Sequence, residues 1–266
     1  VLTISYNSLE LLKKAVASIQ NQSFSDWVHI IVNDGSTDKT AEYLNELAES
    51  SDQYIVKNLD KNFGIANARN QCLKMIPPNT EFVCILDADD IAREDKLEKQ
   101  IKYLEARPDV GLVGSNCIFI DEQGEELGLR KYPADELKIR KMQLIENPFT
   151  NSCVMYRSSI ANGLSYSLEF PPCEDYDFWL NLLKNNKAVN LQEALVYYRV
   201  SSHQAVARSV KKMLKLTIKI KLKHILERKV FSPRYFLRIF IELSLLFVPA
   251  KLVLKVARAR QIKRLV

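Results

Sequence analysis

The sequence predicts an α/β fold with a mainly parallel central sheet flanked by helices, followed by a basic helical C-terminal tail. Three observations carry that expectation. Short apolar runs alternate with helix-length amphipathic stretches through the first 120 residues, the pattern of successive βαβ units. One run, Phe82-Val83-Cys84-Ile85-Leu86, ends in Asp87-Ala88-Asp89-Asp90, three acids in four residues. Charge is also unevenly divided. From Arg208 onward stand 17 Lys and Arg against only Glu227 and Glu242, a net +15 inside an overall +6. The part before it is therefore net negative, and the two parts must meet different surroundings.

Taken in order, residues 1–5 form a short apolar strand. Residues 9–20 form a helix with Leu12, Val16 and Ile19 at helical spacing. A second strand spans 28–33, and a helix spans 38–50 with Ala41, Leu44 and Ala48 on one face and Asp38 as its natural N-cap. Residues 54–58 form a third strand and 62–75 an Ala/Asn-rich helix. The run 82–86 is uncharged and apolar, as a buried parallel strand requires, with Pro77-Pro78-Asn79 before it. Residues 95–107 form a helix with Leu97, Ile101 and Leu104 inward, 110–120 a fifth strand, and Asp121-Glu122-Gln123-Gly124 a hairpin turn. From Leu137 the regularity changes: a charged helix to Glu146, a bend at Asn147-Pro148 and a short strand at 153–156. A helix opens at Glu174 and a strand covers 194–198. Beyond His203 only helices are expected, broken at Ser232-Pro233 and Pro249.

The composition, 47% hydrophobic and 26% charged, is that of a globular chain with a sizeable core, one main domain plus an appendage. Five scattered cysteines without close pairs argue against a disulfide framework or a zinc site and fit a reducing, cytoplasmic setting. The chain opens on Val1 in an apolar run without Met, so residues are expected to precede it, and no targeting segment is visible. Neither Gly-x-Gly-x-x-Gly nor a Walker lysine loop is present. With seven glycines, bound phosphates would have to be neutralised by a metal and basic side chains instead of a glycine-rich loop.

In open α/β sheets ligands sit beyond the carboxyl ends of strands, where Asp87 and Asp89 fall. A divalent cation bridging them to a diphosphate would offset their repulsion. The competing reading is a strand running into a helix capped by Asp90 or Asp95. Tyr6, in the first strand-to-helix turn Ser5-Tyr6-Asn7, could stack on a base or simply cover the core edge. Asp34 could accept from a base N–H or serve an Asx turn. Arg69, one turn into a helix, could bind diphosphate oxygens or be solvated. Asp175 and Trp179 share a helix face beside Glu174, so an acid could act as general base beside an aromatic platform, although acids in a first helical turn also answer to the helix dipole. What unites Tyr6, Asp34, Arg69, Asp87 and Asp89 is their convergence on one sheet edge, at the ends of successive strands or on the helices that follow.

Over roughly residues 1–205 the chain resembles the family 2 glycosyltransferases with the GT-A (nucleotide-diphospho-sugar transferase) fold. The carrying motifs are Thr3-Ile4-Ser5-Tyr6-Asn7, Val32-Asn33-Asp34-Gly35-Ser36-Thr37-Asp38, Asn62-Phe63-Gly64-Ile65-Ala66-Asn67-Ala68-Arg69-Asn70, Leu86-Asp87-Ala88-Asp89-Asp90 and Glu174-Asp175-Tyr176-Asp177-Phe178-Trp179. The resemblance implies a nucleotide-sugar half (1–120), an acceptor and catalytic-base half (121–205), and a tail (206–266). It implies a nucleotide-sugar donor, usually a UDP-sugar, held with Mn2+ or Mg2+, and inversion by a single displacement. Ser5, Tyr6, Asp34, Arg69, Asp87 and Ala88 would then bind the donor, with Asp87 and Asp89 at the metal. Asp175 would be the catalytic base, and Glu174 and Trp179 would contact or position the acceptor. The Gln-x-x-Arg-Trp motif of processive synthases is absent, which points to addition of one sugar or a few. The stretch 198–203 is only loosely similar to the family's closing loop, where Arg199 or His203 would reach diphosphate or metal.

The tail, residues 211–266, mixes Lys and Arg with apolar runs too short to span a bilayer. It is expected either to lie on an anionic membrane or to form a helical cap with a solvated basic face. Nucleic-acid binding is disfavoured by its aliphatic content. The combined expectation is a peripheral enzyme on the inner face of the cell membrane, building lipopolysaccharide, capsule or another lipid-linked glycan. The rivals are a sugar nucleotidylyltransferase, which would carry a Gly-rich loop after its first strand, and a catalytically dead membrane scaffold of the same fold.

Overall fold

A computed structural model describes residues 1–200, 205–250 and 252–253. Strands β1 (Leu2–Ser5), β2 (His29–Asn33) and β3 (Tyr54–Asn58) pair in parallel, joined by helices α1 (Leu9–Gln20) and α2 (Thr40–Ser50). Every residue of β2 is buried, because this central strand is covered on both faces. Helix α1 buries Leu12, Ala15, Val16 and Ile19, the i, i+3, i+4, i+7 set its sequence announces.

Helix α3 (Ile65–Lys74) begins later than residue 62 because Gly64, at φ 89°, turns the chain into it. It leads to β4 (Phe82–Cys84), then β5 (Ile91–Ala92), α4 (Lys96–Ala106) and the long β6 (Val110–Ile120) with its hairpin partner β7 (Glu126–Arg130). Helix α5 (Glu136–Met142), β8 (Met155–Arg157), α6 (Glu174–Leu182) and β9 (Lys187–Arg199) complete the sheet-bearing part. These later strands are ordered β4-β8-β6-β9-β5.

The sheet is parallel in its first strands and mixed beyond them. The apolar run at 82–86 does touch β1 in parallel, through the bridge of Leu2 with Ile85, but its other neighbour β8 is antiparallel. An apolar run buried on both faces records burial, not the direction of its partner, so the sequence could not supply that. β9 also starts well before residue 194, because it pairs in parallel along most of β6 despite the polar residues Asn190, Gln192 and Glu193.

Helices α7 (Ala205–Arg228) and α8 (Pro233–Leu245) follow, and the break at Ser232-Pro233 falls where the sequence puts it. They do not stand apart. Leu216, Ile220, Ile225 and Ile239 share a core with Tyr176 and Leu180 of α6. Lys223 and His224 of α7 both bond Asp177, and Arg228 donates to the Leu180 carbonyl. A shared core therefore spans the division at residue 205.

Candidate active site

The loops after β1 and β2 are knitted together before any ligand is considered. Asn7, at φ 49°, donates its N–H to Ser36 Oγ at 2.9 Å and accepts from the Thr37 N–H at 2.8 Å. Asp38 serves two helix starts, accepting from Thr40 N at 3.1 Å and, through its other oxygen, from Leu9 N at 3.4 Å. Gly35, at φ 70°, lets this loop pass the next one, since a Cβ there would lie 2.2 Å from the Lys61 carbonyl carbon. Asp34 takes the same contact further: its two oxygens accept the N–H groups of Phe63 and Gly64, each at 2.9 Å. The Asx-type service to backbone is thus present, and each carboxylate oxygen keeps a second lone pair. Tyr6 stands 48% exposed at this edge, while Ser5 is buried with its hydroxyl 3.0 Å from that of Ser8.

Asp34 thereby fixes the entry of α3, and α3 delivers Arg69 to the strand ends. Arg69 is buried and bridges two acids, Nη2 to Asp87 Oδ1 at 2.9 Å and Nε to Glu174 Oε1 at 3.2 Å. Burial alone would lower its pKa, but Asp87, Tyr166, Glu174 and Asp175 hold it above its usual value. Its guanidinium carbon also lies 5.7 Å from the Tyr166 ring centroid. One arginine therefore ties the acid cluster after β4 to the opening of α6.

Asp87 is further held by Asn151, whose Nδ2 donates to both its oxygens at 2.8 and 3.0 Å, while the Asp87 N–H donates to Ser152 Oγ at 3.0 Å. Asp90 points inward: it is buried, bonded by Ser152 Oγ and by the Arg199 N–H at 2.8 Å. Burial, then Asp89 and Asp87, push its pKa well above the carboxylate range. Ala88 packs with Leu12 and Val16, so only its backbone faces the edge. Asp89 is left partly exposed, and burial followed by the Asp87 charge pushes its carboxyl up to about 6.

That donor set fits a hard divalent cation. An acid with a raised pKa beside a second acid gains most from added positive charge. Among the described residues no group of three His, Cys, Asp or Glu forms a protein-only cage. Mg2+ and Mn2+ suit such a place, since they take one or two carboxylates and complete their shell with phosphate oxygens and water.

Asp175 opens α6 on the same side of the molecule. Its Oδ2 is 3.4 Å from Asn147 Nδ2 and its Oδ1 accepts from Tyr176 N at 2.7 Å. Burial first, and the Glu174 charge second, push its carboxyl up to about 7, against the pull of Arg69. Glu174 is buried, with Oε2 lacking a partner.

One sequence expectation requires correction. Trp179 offers no platform: it is 0% exposed, packed edge-on against Tyr156 and Phe178. Position i+4 shares a helix face with Asp175, but that face turns into the core. Arg199 is occupied by carbonyls, donating to those of Asp89, Asp121 and Glu122 at 3.0, 2.6 and 3.1 Å. Through Nε and Nη1 it ties β9 to the acid loop. His203 lies outside the described residues.

Sequence reasoning missed Asn151 and Ser152. No sequence signal pointed to them: β8 runs antiparallel to β4 with Cys84 opposite Met155, so residues just before β8 sit beside those just after β4. It also missed Tyr166, whose N–H and carbonyl are both bonded by Asn70 of α3. Two cavities of about 460 and 550 Å3 lie elsewhere, and neither is lined by Asp87, Asp89 or Asp175.

The family model for glycosyl transferase family 2 matches residues 1–164. An uncharacterized glycosyltransferase of Methanocaldococcus jannaschii is 33% identical over 219 residues, 80% of this chain and 74% of the relative. The UDP-Glc:alpha-D-GlcNAc-diphosphoundecaprenol beta-1,3-glucosyltransferase WfaP of Escherichia coli is 28% identical over 81% of this chain and 82% of its own. Among solved structures, the mannosyltransferase PcManGT from Pyrobaculum calidifontis, in complex with GDP-Man and Mn2+, superposes with a TM-score of 0.64. That match covers 97% of this chain and 72% of the other at 18% identity, a likeness of fold.

Proposed function

The chain belongs to the family 2 glycosyltransferases, and on that premise we propose that it moves a sugar from a UDP-sugar to a lipid-linked glycan acceptor, inverting the anomeric centre in one displacement. The observation that carries this reading is Asp175: a carboxyl pushed up to about 7, at the opening of a helix that Arg69 links to Asp87. A general base is most useful when its pKa lies near the working pH. Asp175 takes the proton of the acceptor hydroxyl as that oxygen attacks the anomeric carbon, and the nucleoside diphosphate leaves from the opposite face.

The nucleotide lies along the strand ends, with Tyr6 against the base, Asp34 at the base edge, and Ser5 and the Ala88 backbone lining the same edge. Arg69 holds the Asp87 carboxylate in place toward the ribose, and Asp89 together with Asp87 would hold Mn2+ or Mg2+. That ion, when bound, supplies positive charge to the departing diphosphate. Glu174 anchors the opening of α6, and with it the base, through its ion pair with Arg69. The Escherichia coli relative, whose name gives a UDP-sugar donor and a diphospholipid acceptor, supports both substrate classes.

A diphospholipid acceptor brings the enzyme to a membrane, and we read the chain as acting at the inner face of the cell membrane on surface-glycan precursors. Among the described residues no helix is long and apolar enough to cross one. Hydrolysis of a panel of UDP-sugars without acceptor tests the donor and the ion together. Slow release of UDP that stops with EDTA and returns with Mn2+ is expected; release indifferent to EDTA would remove the metal from the reading.

A further inference from the structure

Helix α8 is apolar on two sides. A surface helix normally turns its apolar stripe to the core and its charges to water. Here the inward side carries Tyr235, Ile239 and Leu246 together with Glu242, 3% exposed, and a second apolar set is left outside. The Glu242 carboxylate accepts from Lys221 of α7 and from Arg238 at 2.8 Å, and Lys221 also donates to the Ile145 carbonyl at 2.8 Å. The outward side carries Phe236, Leu237, Phe240, Ile241 and Leu243, and Phe247 follows in the turn after the helix, with Phe240 69% and Phe247 89% exposed. Phe231, in the bend before the helix, stacks on Phe236 and extends the patch toward Leu226 of α7, which is also exposed.

The exposed charge of α7 and of the residues leading into α8 is mostly of one sign. Lys211, Lys215 and Lys219 recur every four residues along α7 and are exposed, as are Lys212, Lys229 and Arg234. Among the described side chains of these two helices, Glu227 is the exposed acid against them. Cations flanking a broad aromatic and aliphatic face match the interface of an anionic bilayer, where rings and branched chains enter the acyl boundary and lysines stay with the headgroups. A second copy is a poor occupant, because a two-fold contact sets each patch against itself and would bring these cations face to face.

We propose that the outward face of α8, with the lysine row of α7, is the surface by which this enzyme docks on anionic lipid. The inference rests on the reading that the acceptor is membrane-anchored, and deepens it by naming the surface that meets the membrane. The surface is joined firmly to the chemistry: Lys223 Nζ bonds both oxygens of Asp177 at 3.0 and 3.2 Å, and buried His224 bonds it at 2.9 Å, two residues from Asp175 on α6. Docking therefore fixes how the base and its acceptor subsite face the bilayer.

The test uses the full chain and phosphatidylcholine vesicles with or without phosphatidylglycerol, at low salt, read by co-sedimentation. Phe240→Glu with Phe247→Glu changes two exposed side chains, and Lys215→Glu with Lys219→Glu reverses part of the cation row. The wild type should sediment with the anionic vesicles alone, and either double variant should lose that binding at least tenfold. UDP-sugar hydrolysis without acceptor should stay at the wild-type rate in both, which shows that they fold and keeps this test separate from that of the enzyme reading. Three results would overturn the proposal: a wild type that ignores anionic vesicles, a phenylalanine variant that binds as the wild type does, or a patch whose change alters only self-association in sedimentation velocity.

Discussion

The edge formed by the loops after β1, β2 and β4 and the pair of helices α7 and α8 place polar groups in opposite ways. At the sheet edge, short polar side chains gather where strands end, and most are satisfied by nearby backbone or by one another, as Asp34 is by Phe63 and Gly64. In the helix pair, a lysine and a glutamate lie inside, 2% and 4% exposed, and phenylalanines lie outside. The difference teaches what each region is shaped for. An edge with prearranged acids and one locked arginine suits a small charged ligand, because its dipoles need little rearrangement when charge develops. A surface with its apolar face outward suits an extended partner.

Breaking the sheet edge should cost activity without costing the fold. Asp175→Asn is expected to lower transfer by roughly 10²–10⁴-fold while UDP binding, read by calorimetry, stays intact. Unchanged turnover would end its role as base. Asp89→Asn should lower the transfer rate by on the order of 10²-fold and raise the Mn2+ concentration needed for half-maximal rate, several kcal/mol being the usual worth of such an ion.

Breaking the helix pair should do the reverse. Ile220→Ala removes a fully buried side chain from the core shared by α6, α7 and α8, and should cost about 2–5 kcal/mol of stability, seen as a lowered Tm. A Tm equal to wild type would mean that α7 is not integral to the domain. Asn151→Ala sharpens the contrast from the other side, because it removes the amide that holds Asp87 without touching substrate. A loss of about 10-fold in transfer, with Tm little changed, is the expected size for a supporting hydrogen bond.

The remaining effect is one of pH. Asp175 works only when ionised, and its pKa is pushed up to about 7, so the transfer rate should rise with pH through that region and level off above it. A rate flat from pH 5 to 8 would place the base elsewhere.

The sequence announced the sheet edge well for a local reason. Each of its motifs is a few contiguous residues at the end of a strand, and an apolar run meeting Asp-x-Asp, or a helix opening on Glu-Asp, survives as a pattern without partners. The same locality misplaced Trp179, because helical spacing says which residues share a face but not whether that face meets solvent or core. The tail was legible as composition: its cations and apolar runs marked a surface of some kind, while nothing in them ordered the lysines outward and Glu242 inward.

What the sequence determined alone was thus the alternation of strands and helices, the acids at the strand ends and the sign of each region's charge. All of these follow from periodicity and local chemistry. Tertiary structure alone decided that β8 lies antiparallel beside β4, bringing Asn151 and Ser152 to Asp87, and that Asp177 meets Lys223 and His224. It also decided that Glu242 of α8 turns inward to Lys221 while Phe240 is left outside. These are pairings between residues 21 to 75 positions apart, set by which surfaces bury best against each other in three dimensions, and no local pattern encodes them.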